Sequence, residues 1–508
     1  MQTRRGFLAA LLAVVLCTTM TIGSFGAAAP PAVTRYAIRD ARIVTMAGPP
    51  IDKGTVLMRD GLIDEVGPSV AVPIDAIVID GAGLTVYPGF IDMANAAAVE
   101  TPEAPPTGAR TGGAATPTLA ESERARRSLL LRPDFEAARY ARVEGAAMRR
   151  IASAGITSVL AVPTSGLVRG QSALVNVMAP PESPQISNLA DYRRGLVVVK
   201  SPVAQHVGFN SGGGRGGGGA YPGALLGTIA FVRQAFYDAR WQREARAYYE
   251  KHGDQPRPVM EPVLDALAPV LDRRLPTAFD ANLAVEIARA LALAKEFSLD
   301  PIVVGGTESG DVAEDIKAAG GRVIFSLNFP TAPEGGRGGG RGGRGDTPAE
   351  DPIRTIRARQ NAPNGPAALS KARVPFAFTS GGLQDLSRFL RNAARTVKEG
   401  GLSADVALAA LTSEAAKIAG VDNRLGTLQR NRIANLVVTD GDWSEERTRI
   451  RHVFIDGHPV GIDTAPATPA TGGGGRRGGR GGPPTSTEPP ADSDDQRRGA
   501  SAPSPGRE

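Results

Sequence analysis

Apolar and polar residues alternate in short runs over the first part of the chain, at residues 36–84. The runs cover residues 37–44, 52–58 and 62–66, and Asp60-Gly61 separates the last two. Alternation with a period of two predicts strands with one buried face. Asp-Gly supplies the positive φ angles that a tight hairpin needs. The pattern therefore predicts the first part of a small β-domain.

Apolar runs alternate with helical segments over residues 85–421. Residues 154–162 read as a buried strand, and the apolar runs at 276–279 and 301–304 each lead into a helical segment. Strands that alternate with helices in this way indicate βα units and a parallel sheet. The series is compatible with an eightfold (β/α) barrel. Strand patterns then return in residues 422–462, where Asp456-Gly457 predicts a second tight turn.

The first 28 residues read as an export signal of the twin-arginine type. Arg4-Arg5 precedes an apolar run that ends near Ile22, and small residues follow. We therefore expect a periplasmic or cell-envelope protein. The alternative is an uncleaved signal that anchors the chain in the membrane. Cys17 is the only cysteine of the chain, so a mature chain would have neither disulfides nor thiol chemistry.

Glycine and arginine are concentrated in a few tracts, including residues 212–219, 335–345 and 472–482. Such composition buries little apolar area, so we predict flexible loops on the barrel and a disordered tail at 463–508. Because an exported protein does not usually meet RNA, we expect no nucleic-acid partner. The alternative role for the tracts is electrostatic contact with anionic polymers of the cell envelope. The formal charge of +6 is modest for 508 residues and adds little to this reading.

The stretch Val86-Tyr87-Pro88-Gly89-Phe90-Ile91-Asp92 resembles the first barrel strand of the amidohydrolase superfamily, whose usual form is P-G-[FL]-I-D-x-H-x-H. Gly170-Gln171, Leu425-Gly426-Thr427-Leu428 and Asn435-Leu436-Val437-Val438 are similar to segments of its imidazolonepropionase-like branch. The resemblance implies a TIM barrel of amidohydrolase type. It also implies a small β-sandwich domain that both chain ends build together.

The resemblance implies one or two divalent metal ions at the barrel mouth, usually zinc, but this chain lacks the usual ligands. The residues at the expected metal and proton-transfer positions are Ala94, Ala96, Asn176, Asp280, Gly306 and Gly381. In that order they stand for two His of the first strand, a bridging Lys, a His on each of the fifth and sixth strands, and an Asp on the eighth. Methyl groups and glycines bind no metal, so we expect no metal cofactor.

Other polar residues follow strands and are candidates for a rebuilt site. These pocket candidates are Asp280, Asn282, Glu308, Ser380 and Asp385, with Asp311 as a further carboxylate. Oxygen ligands would suit Mg²⁺ or Ca²⁺, and paired carboxylates can do acid–base work. Glu308, Asp311 and Asp385 equally fit helix N-termini, where acidic residues are favoured. Of the four histidines only His206 was placed near the mouth, and one His does not make a transition-metal site.

Three functions are therefore compatible with the sequence. The resemblance implies a nominal hydrolase of non-peptide C–N bonds, with cyclic amides or dipeptides as substrates. Our first hypothesis is a metal-free, non-catalytic member that binds a small amide-like ligand, or that pairs with itself or with an active paralogue. The second is a hydrolase with a rebuilt carboxylate site around Asp280 and Glu308. The third is a structural envelope protein that acts through its Gly/Arg tracts.

Overall fold

The computed structural model describes residues 35–98, 118–142, 145–177, 196–209, 222–254, 256–330 and 353–462. The predicted export signal, the predicted tail at 463–508 and the Gly/Arg tracts lie outside these residues. They therefore stay predictions of the sequence.

Eighteen strands lie in the described part of the chain. They are β1 Arg35–Ile43, β2 Ile51–Arg59, β3 Leu62–Gly67, β4 Ile77–Asp80, β5 Thr85–Pro88, β6 Phe90–Asn95, β7 Ile156–Ala161, β8 Val168–Gln171, β9 Ala173–Val177, β10 Leu196–Lys200, β11 Gln205–Gly208, β12 Thr277–Ala281, β13 Pro301–Gly305, β14 Arg322–Ser326, β15 Phe376–Thr379, β16 Leu436–Thr439, β17 Ile450–Ile455 and β18 His458–Val460.

The α-helices of the described part surround or connect these strands. They are α1 Leu119–Leu130, α2 Ala137–Tyr140, α3 Gly145–Ser153, α4 Leu225–Lys251, α5 Pro262–Asp265, α6 Ala268–Leu271, α7 Ala284–Phe297, α8 Ala313–Ala318, α9 Ile353–Asn361, α10 Gly365–Ala372, α11 Arg388–Lys398, α12 Ala404–Leu411 and α13 Ser413–Ala419. Over the described residues, none of the helices has the length and apolar character that a membrane span requires.

Both ends of the chain contribute strands to one sheet of eight strands. Its order is β18-β17-β16-β5-β1-β2-β3, and β4 also pairs with β1. The link between the two chain ends is the antiparallel pair of β16 and β5, in which Val437 lies opposite Tyr87. The structure shows these strands as one sheet, and a β-sandwich is not confirmed.

Two Asp-Gly hairpins of this sheet form as the sequence predicts. Asp60 and Gly61 connect β2 to β3 and have positive φ angles of 51° and 82° respectively. Asp456 and Gly457, with φ of 49° and 73°, connect β17 to β18 in the same way. Both turns need two successive positive φ angles, which Asp and Gly adopt at low cost.

Ten strands make up the α/β part, in two mixed sheets. One sheet has the order β10-β9-β7-β6, and the other has the order β15-β14-β13-β12-β11-β8. The chain joins the two sheets directly, because only Ser172 separates β8 from β9. We call β8 and β9 together the third barrel strand. Apolar side chains from both sheets, including Leu174, Ala278 and Ile324, form one buried cluster.

The third barrel strand runs antiparallel to both of its neighbours. β9 is antiparallel to β7, and β8 is antiparallel to β11, whereas β11 through β15 are parallel to one another. The sequence predicted a regular (β/α)₈ barrel, and this strand departs from that prediction. The periodicity of an apolar run specifies burial but not strand direction. The consequence is that residues at the start of β8 lie beside the ends of β11 and β12.

The barrel is not closed by a continuous ladder of backbone hydrogen bonds. No ladder between β15 and β6 is found among the described strands. Side chains connect the two strands instead, since the Thr379 hydroxyl of β15 shares its single proton between the Ala94 carbonyl and Oδ1 of Asp92 in β6, each at 2.8 Å. The fold is therefore a TIM-barrel-like α/β arrangement with a seam between its first and last barrel strands.

Candidate functional site

An ion pair lies at the end of the parallel strands where TIM-barrel enzymes have their active sites. Asp280 is the last but one residue of β12, and its Oδ2 accepts a hydrogen bond from Nη1 of Arg169 on β8. The Arg169 side chain is 12% exposed and the Asp280 side chain 34% exposed. We call this end of the barrel the mouth. The pair is partly buried, and solvent still reaches the Asp280 carboxylate.

Arg169 reaches the mouth because the third barrel strand is reversed. In a parallel strand, a residue at the start would lie at the opposite end of the barrel. The Arg169 guanidinium lies over Gly208, at the end of β11, and a Cβ added to Gly208 would overlap the guanidinium. Nε of Arg169 also donates to the Gly166 carbonyl at 3.3 Å. The guanidinium is thus held from two sides, and a glycine in the neighbouring strand makes room for it.

His206 lies just below this pair in β11, where it is 1% exposed. Its Nε2 is buried and has no hydrogen-bond partner among the described residues. Burial, together with the nearby charge of Arg169, lowers the pKa of His206 to about 3. The imidazole is therefore neutral at physiological pH. The sequence placed His206 near the mouth, and the structure shows it in a strand that ends there.

Two opposing effects act on the Asp280 carboxyl group. Burial raises its pKa above the ordinary value, and the charge and hydrogen bond of Arg169 act in the opposite direction. The burial effect is the larger of the two, although about a third of the side chain stays accessible. A carboxylate here depends on the guanidinium for its charge, because burial of an unpaired charge is costly.

Asp92 forms a separate polar cluster at the seam between β6 and β15. Its buried carboxylate accepts hydrogen bonds from the Ser380 hydroxyl at 2.6 Å, the Ser380 amide at 2.9 Å and the Thr379 hydroxyl at 2.8 Å. Asn95 donates a further one at 3.0 Å. The carboxylate is thus satisfied from both strands and holds the seam together. Ser380, a pocket candidate of the sequence, is 3% exposed and is used in this contact.

Two glycines, one at an expected metal-ligand position and one at the expected proton-transfer position, have left-handed backbone conformations. Gly306 has φ of 57° and Gly381 has φ of 56°. A Cβ at Gly306 would lie 2.9 Å from Cγ1 of Val323, and one at Gly381 would overlap the Ser326 hydroxyl. L-residues adopt this region at a cost, and the space for a side chain is taken. The backbone conformation and the packing at both positions therefore disfavour any residue with a side chain. Ala94 lies in β6, whereas Ala96 follows the end of that strand and begins a short 3₁₀ helix, so the two do not share one strand as the sequence predicts.

Most of the other pocket candidates have structural partners. Glu308 accepts a hydrogen bond from the Ala284 amide at 2.9 Å, in the first turn of α7. Asn282 accepts one from the Thr307 hydroxyl at 3.2 Å, and Asp385 accepts one from the Ser387 amide at 3.0 Å. Asp385 is exposed, as is Asp311. These contacts agree with the alternative that the acids serve helix starts and turns. They do not bring Glu308 to Asp280.

Asn176 lies away from the mouth, which corrects its assignment to a bridging position there. In the reversed third barrel strand it pairs with Ser158, towards the start of β7. Its Oδ1 accepts from the Ser158 hydroxyl at 2.7 Å and from the Asn435 amide group at 3.0 Å. Its amide group donates to Oδ1 of Asp456 at 2.9 Å. Asn176 therefore connects the barrel to the terminal sheet.

A cavity of about 730 Å³ opens beside the loop that follows β13. Its lining includes Glu308, Asp311, Arg357, Asn361 and Asn364. Of these, Glu308 is already bonded to α7. The cavity is polar, and its lining comes from the loop after β13 and from α9 and α10 rather than from barrel strands. It adds acidic and amide groups to this side of the molecule but no cluster of metal-binding residues.

The last part of the chain carries a family signature. Residues 357–460 match the model of the amidohydrolase family. The match covers about a fifth of the chain, from α9 through the closing strands of the terminal sheet. It includes the segment with Ser380, Gly381 and Asp385. No curated protein matches the chain.

Solved structures resemble the chain over most of its length. An amidohydrolase from Thermotoga maritima is similar with a TM-score of 0.64 and 21% identity, over 84% of this chain and 100% of that one. A prolidase complexed with N-methylphosphonate-L-proline has a TM-score of 0.50 and 18% identity, over 85% of this chain and 100% of that one. At these identities the likeness shows the fold. The chain has an amidohydrolase fold, and the imidazolonepropionase-like branch stays a prediction.

The residues at the mouth do not fit the divalent metal that this fold would usually hold. Zinc in proteins takes Cys, His, Asp or Glu ligands, with at least three from the protein. No group of three or more such residues that could hold a metal ion is found in the part of the chain that the structure describes. Asp280 is engaged by a guanidinium, and the cation Arg169 opposes the approach of a second cation. His206 contributes one imidazole.

Arg169 is the functional candidate that sequence reasoning missed. It immediately precedes Gly170-Gln171, a segment that already stood out, but a parallel barrel would have placed it at the end opposite Asp280. The sequence feature that could have identified Arg169 is a charged side chain within a short strand. An arginine inside a short, otherwise buried strand requires a partner, because a buried guanidinium is costly without one.

Proposed function

We propose that this chain is an amidohydrolase-fold protein that binds a small amide-like ligand at the barrel mouth without metal-dependent hydrolysis. The observation that carries the proposal is the Arg169–Asp280 ion pair at the end of the barrel strands. It supports a mouth whose charge is balanced by side chains alone. The backbone of Gly306 and Gly381 supports the same conclusion, since side chains at these positions would be strained or blocked.

The proposal includes export to the periplasm or cell envelope, on the basis of the twin-arginine pattern near the N-terminus. Association with a second copy or with an active paralogue is compatible with it. The hydrolase activity that the fold suggests is the nominal class of the family, and the amide-like ligand follows from that class. The rebuilt carboxylate site receives less support, because Glu308 is bonded to α7 and Asp280 to Arg169.

The test combines metal analysis with a ligand and hydrolysis screen on the protein without residues 1–28. We expect substoichiometric metal by mass spectrometry after purification in the presence of zinc, and no turnover of dipeptides or cyclic amides. We expect at least one such compound to raise the melting temperature. Stoichiometric metal, or turnover that disappears in Asp280→Ala, would overturn the proposal. An Asp272→Ala variant, which removes an exposed surface carboxylate, is the control.

A further inference from the structure

We infer that Arg169 makes the barrel mouth a binding site for an organic carboxylate, and that Asp280 occupies this site when no ligand is bound. The inference rests on the proposed function, because the ligand would enter the same mouth. It adds the charge of the ligand and the group that recognises it. The positive charge at the mouth is then the Arg169 guanidinium of the chain itself.

The geometry favours an oxyanion as the ligand of Arg169. A guanidinium offers five N–H donors in a planar fork that matches the two oxygens of a carboxylate. Nη1 of Arg169 bonds to Asp280, and Nε donates to the Gly166 carbonyl. Nη2 lies beside the Cα atom of Gly208, where other residues would have a side chain. The fork is thus fixed in orientation before a ligand binds, which lowers the entropic cost of binding.

The pair is accessible from the solvent side. Asp280 keeps 34% of its side chain exposed, whereas Arg169 keeps 12%. A ligand carboxylate would therefore approach from the side of Asp280 and exchange with it at the guanidinium. His206, buried beneath the pair, presents a neutral ring and adds no competing negative charge. Asp280 acts as an internal competitor for the same donors.

Competition between Asp280 and the ligand gives the inference a distinctive test. In Asp280→Asn the guanidinium loses its counter-charge while the side chain keeps its shape. We expect N-acetylglycine to bind this variant at least tenfold more tightly than the wild type, as measured by titration calorimetry. In Arg169→Met we expect its binding to be lost. N-acetylglycinamide, which lacks the carboxylate, should show no gain with Asp280→Asn.

A double variant guards against misfolding as an explanation. Removal of one partner leaves a buried charge unpaired, whereas removal of both leaves none. We expect Arg169→Met/Asp280→Asn to fold, by circular dichroism, and to bind no N-acetylglycine. Asp272→Asn, at an exposed ion pair with Arg243, is the matched control and should bind as the wild type does. Equal binding by Asp280→Asn and wild type, or binding retained in either Arg169→Met variant, would overturn the inference. A metal-free protein with those results would leave the proposed function standing.

Discussion

Buried carboxylates in this protein differ in how completely their oxygens are satisfied. Asp92 accepts hydrogen bonds at both oxygens from Ser380, Thr379 and Asn95. Asp456 accepts one at Oδ1 from Asn176, and its buried Oδ2 has no partner among the described residues. The first arrangement holds a seam together. The second leaves a charge that the fold tolerates poorly, and burial raises the pKa of Asp456.

The raised pKa of Asp456 makes the terminal sheet sensitive to rising pH. The folded state retains a proton that the unfolded state releases, so stability falls as pH rises from the unfolded pKa, about 3.9, through the folded one. We expect the melting temperature of Asp456→Asn, relative to the wild type, to increase as the pH rises above about 4 and to level off above the folded pKa of Asp456. Asn keeps the acceptor for Asn176 and tolerates the φ of 49° at this position. Parallel pH profiles of the two proteins would contradict this assignment.

His206 has the opposite effect at acid pH. Its pKa falls from 6.5 to about 3 on folding, so below pH 6.5 the unfolded state takes up a proton that the folded state refuses. The free energy of unfolding should therefore fall as the pH decreases, by about 2 kcal/mol between pH 6.5 and pH 5, because each pH unit below the unfolded pKa costs about 1.4 kcal/mol. Denaturant melts should show a smaller loss in His206→Gln than in the wild type. The exposed His252→Gln should behave as the wild type, and an equal effect of the two substitutions would refute the prediction.

The third barrel strand is the element that gives the mouth its chemistry. Its reversed direction brings Arg169 to the end of β11 and β12. Two glycines allow the segment after α1 to pack closely on it. Gly166 faces the Leu130 carbonyl, and Gly170, with φ of 118°, faces the Phe135 carbonyl. The position of Arg169 between these two glycines thus depends on close backbone packing.

Substitution of Gly170 should destabilise this strand more than an ordinary glycine substitution would. A Cβ there would overlap the Phe135 carbonyl, and a residue with a side chain would also have to adopt a disfavoured φ. We expect Gly170→Ala to cost more than about 2 kcal/mol in denaturant unfolding, since strain at such a φ alone costs about 1–3 kcal/mol. Gly320→Ala, which has φ of 65° and nothing within 4 Å, isolates the strain without the overlap. Similar costs for both variants would argue against close packing at Gly170.

At the scale of the whole molecule, the terminal sheet connects the two ends of the chain. β16 pairs with β5, the strand that leads directly into the first barrel strand. Leu436, Val438 and Phe454 of the closing strands are fully buried in the core that they share with β1 and β2. Asn435 and Asp456 also bond to the barrel network around Asn176. Residues of the terminal sheet that lie more than 250 positions from Asn176 in the sequence therefore stabilise the barrel at the end opposite the mouth.

Truncation should show that this support is required. A chain that ends at residue 435 loses β16–β18, and each fully buried aliphatic or aromatic side chain contributes about 1.5–3 kcal/mol. Several such losses exceed the 5–15 kcal/mol by which domains are typically stable. We expect this chain to be insoluble or unfolded by circular dichroism, and a chain that ends at residue 462 to fold. A cooperative melt of the shorter chain would contradict the assignment.

The sequence by itself determined the class of fold. Alternation predicted the strands of the terminal sheet, Asp-Gly predicted both hairpin turns, and the motif at residues 86–92 indicated an amidohydrolase barrel. Residue identity at Ala94, Ala96, Gly306 and Gly381 led to the prediction that the usual metal ligands are absent, because methyl groups and hydrogen atoms bind no metal.

Only the tertiary structure decided what lies at the mouth. Burial patterns do not specify strand direction, so Arg169 was assigned no role and Asn176 was placed at the wrong end of the barrel. Likewise, the spacing of Asp280 and Glu308 along the chain could not show that one pairs with Arg169 and the other bonds to a helix. The physical reason is that ion pairs and hydrogen bonds between distant strands depend on how the sheet is threaded, which no local pattern records.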